Sequence, residues 1–438
     1  MSMSPRSPAF IMLCAVSLIA SAGNMALQAV LPAIGRQFHL ADTLVVGVFA
    51  ISALMWTLTS PVWARLSDRL GRKRVILIGM AGFSASMAGF GLAATSGLEH
   101  WLGPVAAFVL MAVGRTIYGV FGSAAPIASQ AYVADRTAPE ERTQAMSLLA
   151  SAQGLGTVIG PTLAPVLILP IVGLAGPMYA FALIAAVAFF WVLRKLPSGG
   201  VTRVPSPTGQ PDHAPLGHEG SGLWKDARVR DFLLYGLLIT GAQAINISVL
   251  GFHVIDEMAE TGLSIVQAQP FIAVAMMAGA AATLLAQWGL IPLLRLQPRD
   301  LMRWGAGLAL AGNLLSIFAP GFYGVVVGYA VVSMGVGFAR PGFTAGASLA
   351  VGPAEQGAVA GLMMSIAGIS YLVPPVVGVA LYQLAAFGPF AANATLLVLA
   401  FVICLSSAAL RAAAVSTGVG AEVSSEPPAS QPGPEGNR

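Results

Sequence analysis

Charge is scarce in this chain, so the few charged side chains that crowd together or stand in apolar surroundings define the chemistry open to it. Of 438 residues only 9% are Asp, Glu, Lys or Arg, against 56% hydrophobic. Between Ala64 and Arg74 the sequence ARLSDRLGRKR sets five cations, Arg65, Arg69, Arg72, Lys73 and Arg74, around one carboxylate, Asp68. Such a cluster can form and break ion pairs, as a latch does; its plainer reading is a solvated hairpin. Arg115 and Arg340 lie inside long apolar runs. A guanidinium there must face an interior or a polar cavity, where it recognises opposite charge or braces neighbouring helices. For proton uptake and release the nearest candidates are His253, Asp256 and Glu257, grouped at the end of an apolar run. Their plainer reading is that helix-end acids face water. The two cysteines, Cys14 and Cys404, both fall in apolar runs and imply neither a disulfide framework nor a metal site. No cluster of His, Asp and Ser stands in the spans, so we expect no enzyme, no metal and no cofactor.

The elements that carry these residues are membrane spans. Apolar runs of about 18 to 25 residues suit a bilayer, and twelve occur: 9–34, 44–64, 75–95, 104–131, 143–169, 177–194, 231–253, 265–291, 301–320, 322–347, 357–382 and 386–410. The expected fold class is an all-α polytopic membrane protein. A polar stretch, 197–230, divides an N-terminal six-helix half, 1–196, from a C-terminal half, 231–412. The Pro-, Ser- and Glu-rich tail, 413–438, cannot bury a core and is expected to be disordered. If the N-terminus is cytoplasmic, nineteen of the 22 Lys and Arg fall on that side, Arg36 alone on the other, and Arg115 and Arg340 within spans. The positive-inside rule therefore predicts a multi-pass protein of the cell membrane with both termini in the cytoplasm. The basic balance is a topology signal and calls for no nucleic acid.

Residues 139–161 overlay 353–375 at an offset of 214, pairing Glu141 with Glu355, Gly154 with Gly368 and Pro161 with Pro375. The repeat relates span 5 to span 11 and the two halves to each other. In span 5, Gly156 and Gly160 at i, i+4 allow another helix to approach closely, and Pro161 permits a bend. In span 1, Asn24 and Gln28 share a helical face. Gln153, Gln243, Asn246 and Tyr371 are also polar and intramembrane, and with Trp56 and Tyr118 they are candidate cavity residues; hydrogen bonding between helices would explain each as well.

Three stretches carry a resemblance. Ser67-Asp-Arg-x-Gly-Arg-Lys73 resembles the loop 2-3 signature of the major facilitator superfamily, with Ala64 where the pattern begins with Gly. Gly114-Arg-Thr-Ile-Tyr-Gly119 is similar to the second signature, in span 4. Gly154-Leu-Gly-Thr-Val-Ile-Gly-Pro161 looks like the third, which marks the drug:proton antiporter branch of multidrug and tetracycline-type exporters, although its downstream Gly pair is Leu163-Ala164 here. The resemblance implies two pseudosymmetric six-helix halves and a secondary active transporter, working by alternating access as a monomer in the bacterial inner membrane. It exchanges protons for amphipathic small molecules, or serves as an importer or facilitator of a small anionic metabolite. By the same resemblance Asp68, Arg69, Gly71, Arg72 and Lys73 form a gate, Arg115 stands near the coupling site, and Gly154, Gly156, Gly160 and Pro161 form the antiporter helix motif. Many drug:proton antiporters carry an acid where Asn24 stands, so the expected proton carrier is moved elsewhere. If Arg115 and Arg340 both line the cavity with Asn24 and Gln28, an anionic, zwitterionic or neutral amphiphile is favoured over a permanent cation.

Overall fold

The structure, a computed structural model, describes residues 7–137, 139–197, 226–294, 296–319, 321–352 and 355–406. The expected tail 413–438 and most of the expected central loop 197–230 lie outside the described residues.

Twelve helical spans are present among the described residues. Spans 1 to 3 are Pro8–Gln37, Asp42–Leu70 and Arg72–Leu98. Span 4 consists of two helices, Pro104–Phe121 and Ala124–Arg136, and spans 5 and 6 are Pro139–Val166 and Gly176–Lys195. Span 7 is Ala227–Glu260, and span 8, Gln269–Leu294, passes through a π-helical stretch at Leu285–Leu290. Spans 9 and 10 are Pro298–Phe318 and Gly321–Leu349, span 11 is Gln356–Leu372 and Pro374–Leu384, and span 12 is Gly388–Ser406. Eleven are long and apolar enough to cross a membrane; Gly, Ser, Thr and Gln dilute span 5. Proline in the first helical positions of spans 1, 4, 6, 8 and 9 starts those helices where its missing N–H costs nothing. No strand occurs among the described residues.

Two boundaries differ from the sequence expectation. The cationic stretch at 64–74 is helical rather than a loop: span 2 runs to Leu70 and span 3 starts at Arg72, leaving Gly71 alone between them. Charged side chains at helix ends reach water without unwinding the backbone, and Gly71 turns the chain with φ of +91°, which a side chain disfavours. Span 11 breaks at Val373, whose backbone stays in the right-handed helical region, because Pro374 and Pro375 have no N–H to continue the hydrogen-bond ladder and begin a new helix.

Large side chains such as Trp101, Trp288 and Trp304 are exposed on the perimeter, as lipid-facing surface requires. The interior is divided unevenly. At the end of the bundle that carries Arg72, here the basic end, each half has its own apolar core: Phe10, Trp63, Ile76 and Tyr132 in one, Phe232, Tyr235, Met302 and Phe343 in the other. At the opposite end a single core runs through both halves, joining Leu31, Phe38 and Val45 to Phe252, Ile255 and Tyr382. Pro32 of span 1 packs there against Gly251 of span 7, where a methyl group would come within 2.6 Å of the proline ring. The halves are sealed together at the opposite end and separately packed at the basic end.

Candidate functional site

At the basic end Arg72 is the hub. Its Nη2 lies 2.7 Å from Asp68, its Nε donates to Asp135 of span 4 at 2.9 Å, and its Nη1 donates to Ser67 at 3.0 Å. The Arg72 side chain is only 10% exposed while Asp68 is 44% exposed. Arg72 is thus fixed, and Asp68 is the replaceable partner. Lys73 donates to the Leu193 carbonyl at 2.9 Å, tying span 3 to span 6, whereas Arg69 is exposed. In the other half, Arg228 bridges Asp226 (2.7 Å) and Glu355 (3.0 Å). Hydrogen bonds from Arg228 hold both carboxyls below their ordinary range, so this cluster stays ionised near neutral pH and loosens only as the solution turns acidic. Each of these ion pairs joins residues of one half.

In mid-bundle Arg115 is 2% exposed. Span 4 is held to span 3 beside it, where the Ser86 hydroxyl donates to the Gly114 carbonyl at 2.7 Å. The guanidinium lies between two rings, 4.7 Å from the centroid of Phe49 and 4.3 Å from that of Tyr118, and its Nη2 donates to the Asn24 side-chain oxygen. Nε and Nη1 meet no acceptor among the described residues. Desolvated cation–π contacts are worth about 2 kcal/mol and one hydrogen bond from a charged donor about 1.5–3 kcal/mol, whereas burying an ion costs several kcal/mol. The ring faces and Asn24 offset much of that cost, but among the described residues no carboxylate pairs with the guanidinium and Nε and Nη1 stay unsatisfied, so the charge is under-compensated. Trp56 packs on Tyr118 with the ring centroids 5.6 Å apart and the planes tilted by 41°. Gln28, one turn after Asn24, lines a small cavity with Phe49, Val46, Ile247 and Phe252, drawn from spans 1, 2 and 7.

The opposite end holds a second ionic hub. Arg36 grips Asp42 with two bonds of 2.7 Å and reaches across to Asp256 of span 7 at 2.9 and 3.2 Å. Tyr382 of span 11 donates to Asp256 at 2.7 Å, and His253 Nδ1 stands 3.4 Å from the Tyr382 hydroxyl. The ring of Phe252 lies 5.6 Å under Arg36. Asp42 is 6% exposed and Asp256 41%. A buried pair therefore anchors Arg36 within its own half, and a half-exposed pair, worth only about 1 kcal/mol or less, links the halves. That weakness suits a contact that must open.

Other candidates are placed apart from these hubs. Arg340 is exposed toward the basic end of span 10, where Gly342 packs against Pro298 and Leu301. Gln153 and Tyr371 are exposed, Gln243 is half-buried, and Asn246 is buried with its Nδ2 lacking an acceptor among the described residues. Glu257 is half-buried beside Asp256 and makes no hydrogen bond to Arg36 among those described. Gly156 and Gly160 press on span 1: a methyl on Gly160 would come 2.1 Å from the Ala22 carbonyl oxygen, and one on Gly156 2.6 Å from that of Leu18, whereas Gly154 faces open space and the helix runs through Pro161. Gly160→Val should therefore destabilise the protein by about 1–3 kcal/mol through overpacking, while Gly154→Ala should be neutral or stabilising; thermal unfolding in detergent checks the pair.

Sequence reasoning missed Arg36, Asp42, Asp135, Tyr382 and Phe49 as site residues. The signal for the first two was present: Arg36 is the one cation assigned to its side, and Asp42 follows six residues later across a short turn.

A profile of the Major Facilitator Superfamily matches residues 13–375. The chain is 31% identical over 200 residues to "Multidrug resistance protein 2" of Bacillus subtilis (strain 168), covering 44% of this chain and 46% of that protein. It is 34% identical over 135 residues to "Tetracycline resistance protein, class C" of Escherichia coli, covering 30% and 31%. The chain thus spans under half the length of these curated relatives. Among solved structures it superposes on the nucleoside transporter NupG with a TM-score of 0.68 at 14% identity, over 92% of this chain and 99% of that one. It also superposes on a bacterial homolog to the human lysosomal transporter Spinster, in an inward-facing and unoccupied conformation, with a TM-score of 0.68 at 17% identity, over 97% and 96%. With twelve spans in two halves and a family profile matched over most of its length, the chain belongs to the Major Facilitator Superfamily of membrane transporters.

Proposed function

We propose that this chain is a proton-coupled exporter of amphipathic small molecules, acting as a monomer in the bacterial inner membrane with its basic end in the cytoplasm. The observation that carries alternating access is the division of the core: shared by both halves at the opposite end, separate in each half at the basic end. A protein packed in this way is open toward the cytoplasm, and reversing the seal would present the central site to the other side. Relatives named as multidrug and tetracycline resistance proteins support export. Asp256, reached by Arg36 and Tyr382, is the acid we assign to proton exchange, because among the described residues no carboxylate pairs with Asn24 or Arg115.

A second reading, an importer or facilitator of a small anionic metabolite, is favoured by the under-compensated charge of Arg115. Inside-out vesicles separate the two. With the lumen acidified, an exporter fills the vesicles with its substrate and a protonophore abolishes the filling. Uptake that ignores the proton gradient, or occurs only in right-side-out vesicles, would contradict export.

A further inference from the structure

We infer that Arg115 binds the anionic end of the transported molecule, so that the substrate is an amphipathic organic anion, a carboxylate or sulfonate on an apolar or aromatic body. The inference rests on the transport reading above and names the substrate class for the same site. A guanidinium 2% exposed normally meets a carboxylate; here its one hydrogen-bond acceptor is the neutral amide of Asn24, and Nε and Nη1 have none among the described residues. Phe49 and Tyr118 present ring faces, which stabilise positive charge and leave the N–H edges unsatisfied. An anion with two or three acceptor oxygens supplies what the guanidinium lacks.

The surroundings also define the rest of the molecule. From Tyr118 the aromatic surface continues to Trp56, which is half-buried. The next residue, Thr57, stands at the seam between the halves, its hydroxyl oxygen 3.0 Å from where a methyl on Gly368 would sit. An apolar body can lie along this row with its charge on Arg115, spanning from the buried guanidinium to the seam along which the halves part. A permanent cation would face the same uncompensated charge and be repelled. In the alternative account Arg115 only braces spans 1 and 4, and ligand charge has no effect.

The test is equilibrium dialysis of three isosteric probes, 2-naphthoate, 2-naphthamide and 2-naphthylmethylammonium, against the full chain in zwitterionic-lipid nanodiscs with no pH gradient. Naphthoate should bind at least roughly tenfold tighter than naphthamide, and the cation most weakly. Arg115→Gln should bring naphthoate down to the naphthamide level, weakening naphthoate far more than naphthamide. Asn24→Asp, nearly isosteric, should do the same, because an internal carboxylate then occupies the guanidinium. It keeps the question answerable if Arg115→Gln does not fold. Equal binding of naphthoate and naphthamide, no naphthoate binding at about 1 mM, or a preference that survives either substitution would overturn the inference. Because binding is read at equilibrium, loss of proton-driven filling in vesicles would contradict export and leave this result standing, and equal binding would do the reverse.

Discussion

Arg36→Ala is expected to abolish transport and to lower the thermal unfolding midpoint of the detergent-solubilised protein by several degrees. Arg36 is the partner of Asp42, which is 6% exposed, and of Asp256 across the seam. Truncating it strands a buried carboxylate, a change that costs about 3–5 kcal/mol. The informative comparison is Asp256→Asn, which weakens the cross-half contact and leaves Arg36–Asp42 intact. The half-exposed ion pair and the Tyr382 hydrogen bond together contribute about 1–2 kcal/mol, so the balance between the two states should shift roughly five- to thirtyfold. The direction is toward opening at that end, since the contact exists only when the end is closed. Transport falls in both variants, but only Arg36→Ala unfolds earlier. Equal loss of stability in the two would show that Asp256 is a structural brace.

Asp68→Asn is expected to reduce transport at least roughly tenfold while leaving folding and membrane insertion intact. Asp68 is 44% exposed and its pair with Arg72 is a surface one, so its stability contribution is below about 1 kcal/mol. Arg72 keeps Asp135 and Ser67 in the variant. A large functional effect from so weak a contact requires that the contact bias a conformational balance. We expect that bias to favour closure of the basic end, where Asp68, 44% exposed, can turn from Arg72 to a partner across the seam, opposite in sign to that of Asp256. The double variant Asp68→Asn with Asp256→Asn should therefore regain the parent's balance between the two states, while its proton-driven transport stays lost with the acid assigned to proton exchange. A balance that stays shifted as in one of the single variants would mean that the two sites act independently, and wild-type rates in Asp68→Asn would remove it from the gate.

Much of this architecture was legible in the sequence because hydrocarbon imposes a long apolar run on every span, and because cations sort to one side of a bilayer. The loop 2-3 cluster, the 214-residue repeat and the Gly-rich span 5 were readable for the same reason: each is a local pattern. The Arg36 hub was not, since it joins residues 220 apart in the chain and sequence spacing carries no register between span 1 and span 7. Asp42 looked like an ordinary acid in the first turn of a helix, where the helix dipole alone would favour it. Arg340 illustrates the converse. It shares with Arg115 the signature of a cation in an apolar run, but Arg115 is closed in by Phe49, Tyr118 and Asn24, whereas Arg340 is exposed. Depth within a span and the rotational setting of its helix decide between those fates, and neither is written in a single sequence.

The central claim, that two halves rock about Arg115 with one seal closing as the other opens, is tested most directly by paired distance measurements. Spin labels at Leu44 and Leu384 report on the end held by Arg36, and labels at Leu148 and Leu294 on the basic end; all four positions are exposed, and Cys14 and Cys404 are replaced beforehand. Double electron–electron resonance on the Asp256→Asn background should show the first distance lengthening and the second shortening relative to the parent protein. Both distances lengthening together, or the first changing while the second stays fixed, would contradict alternating access in this chain.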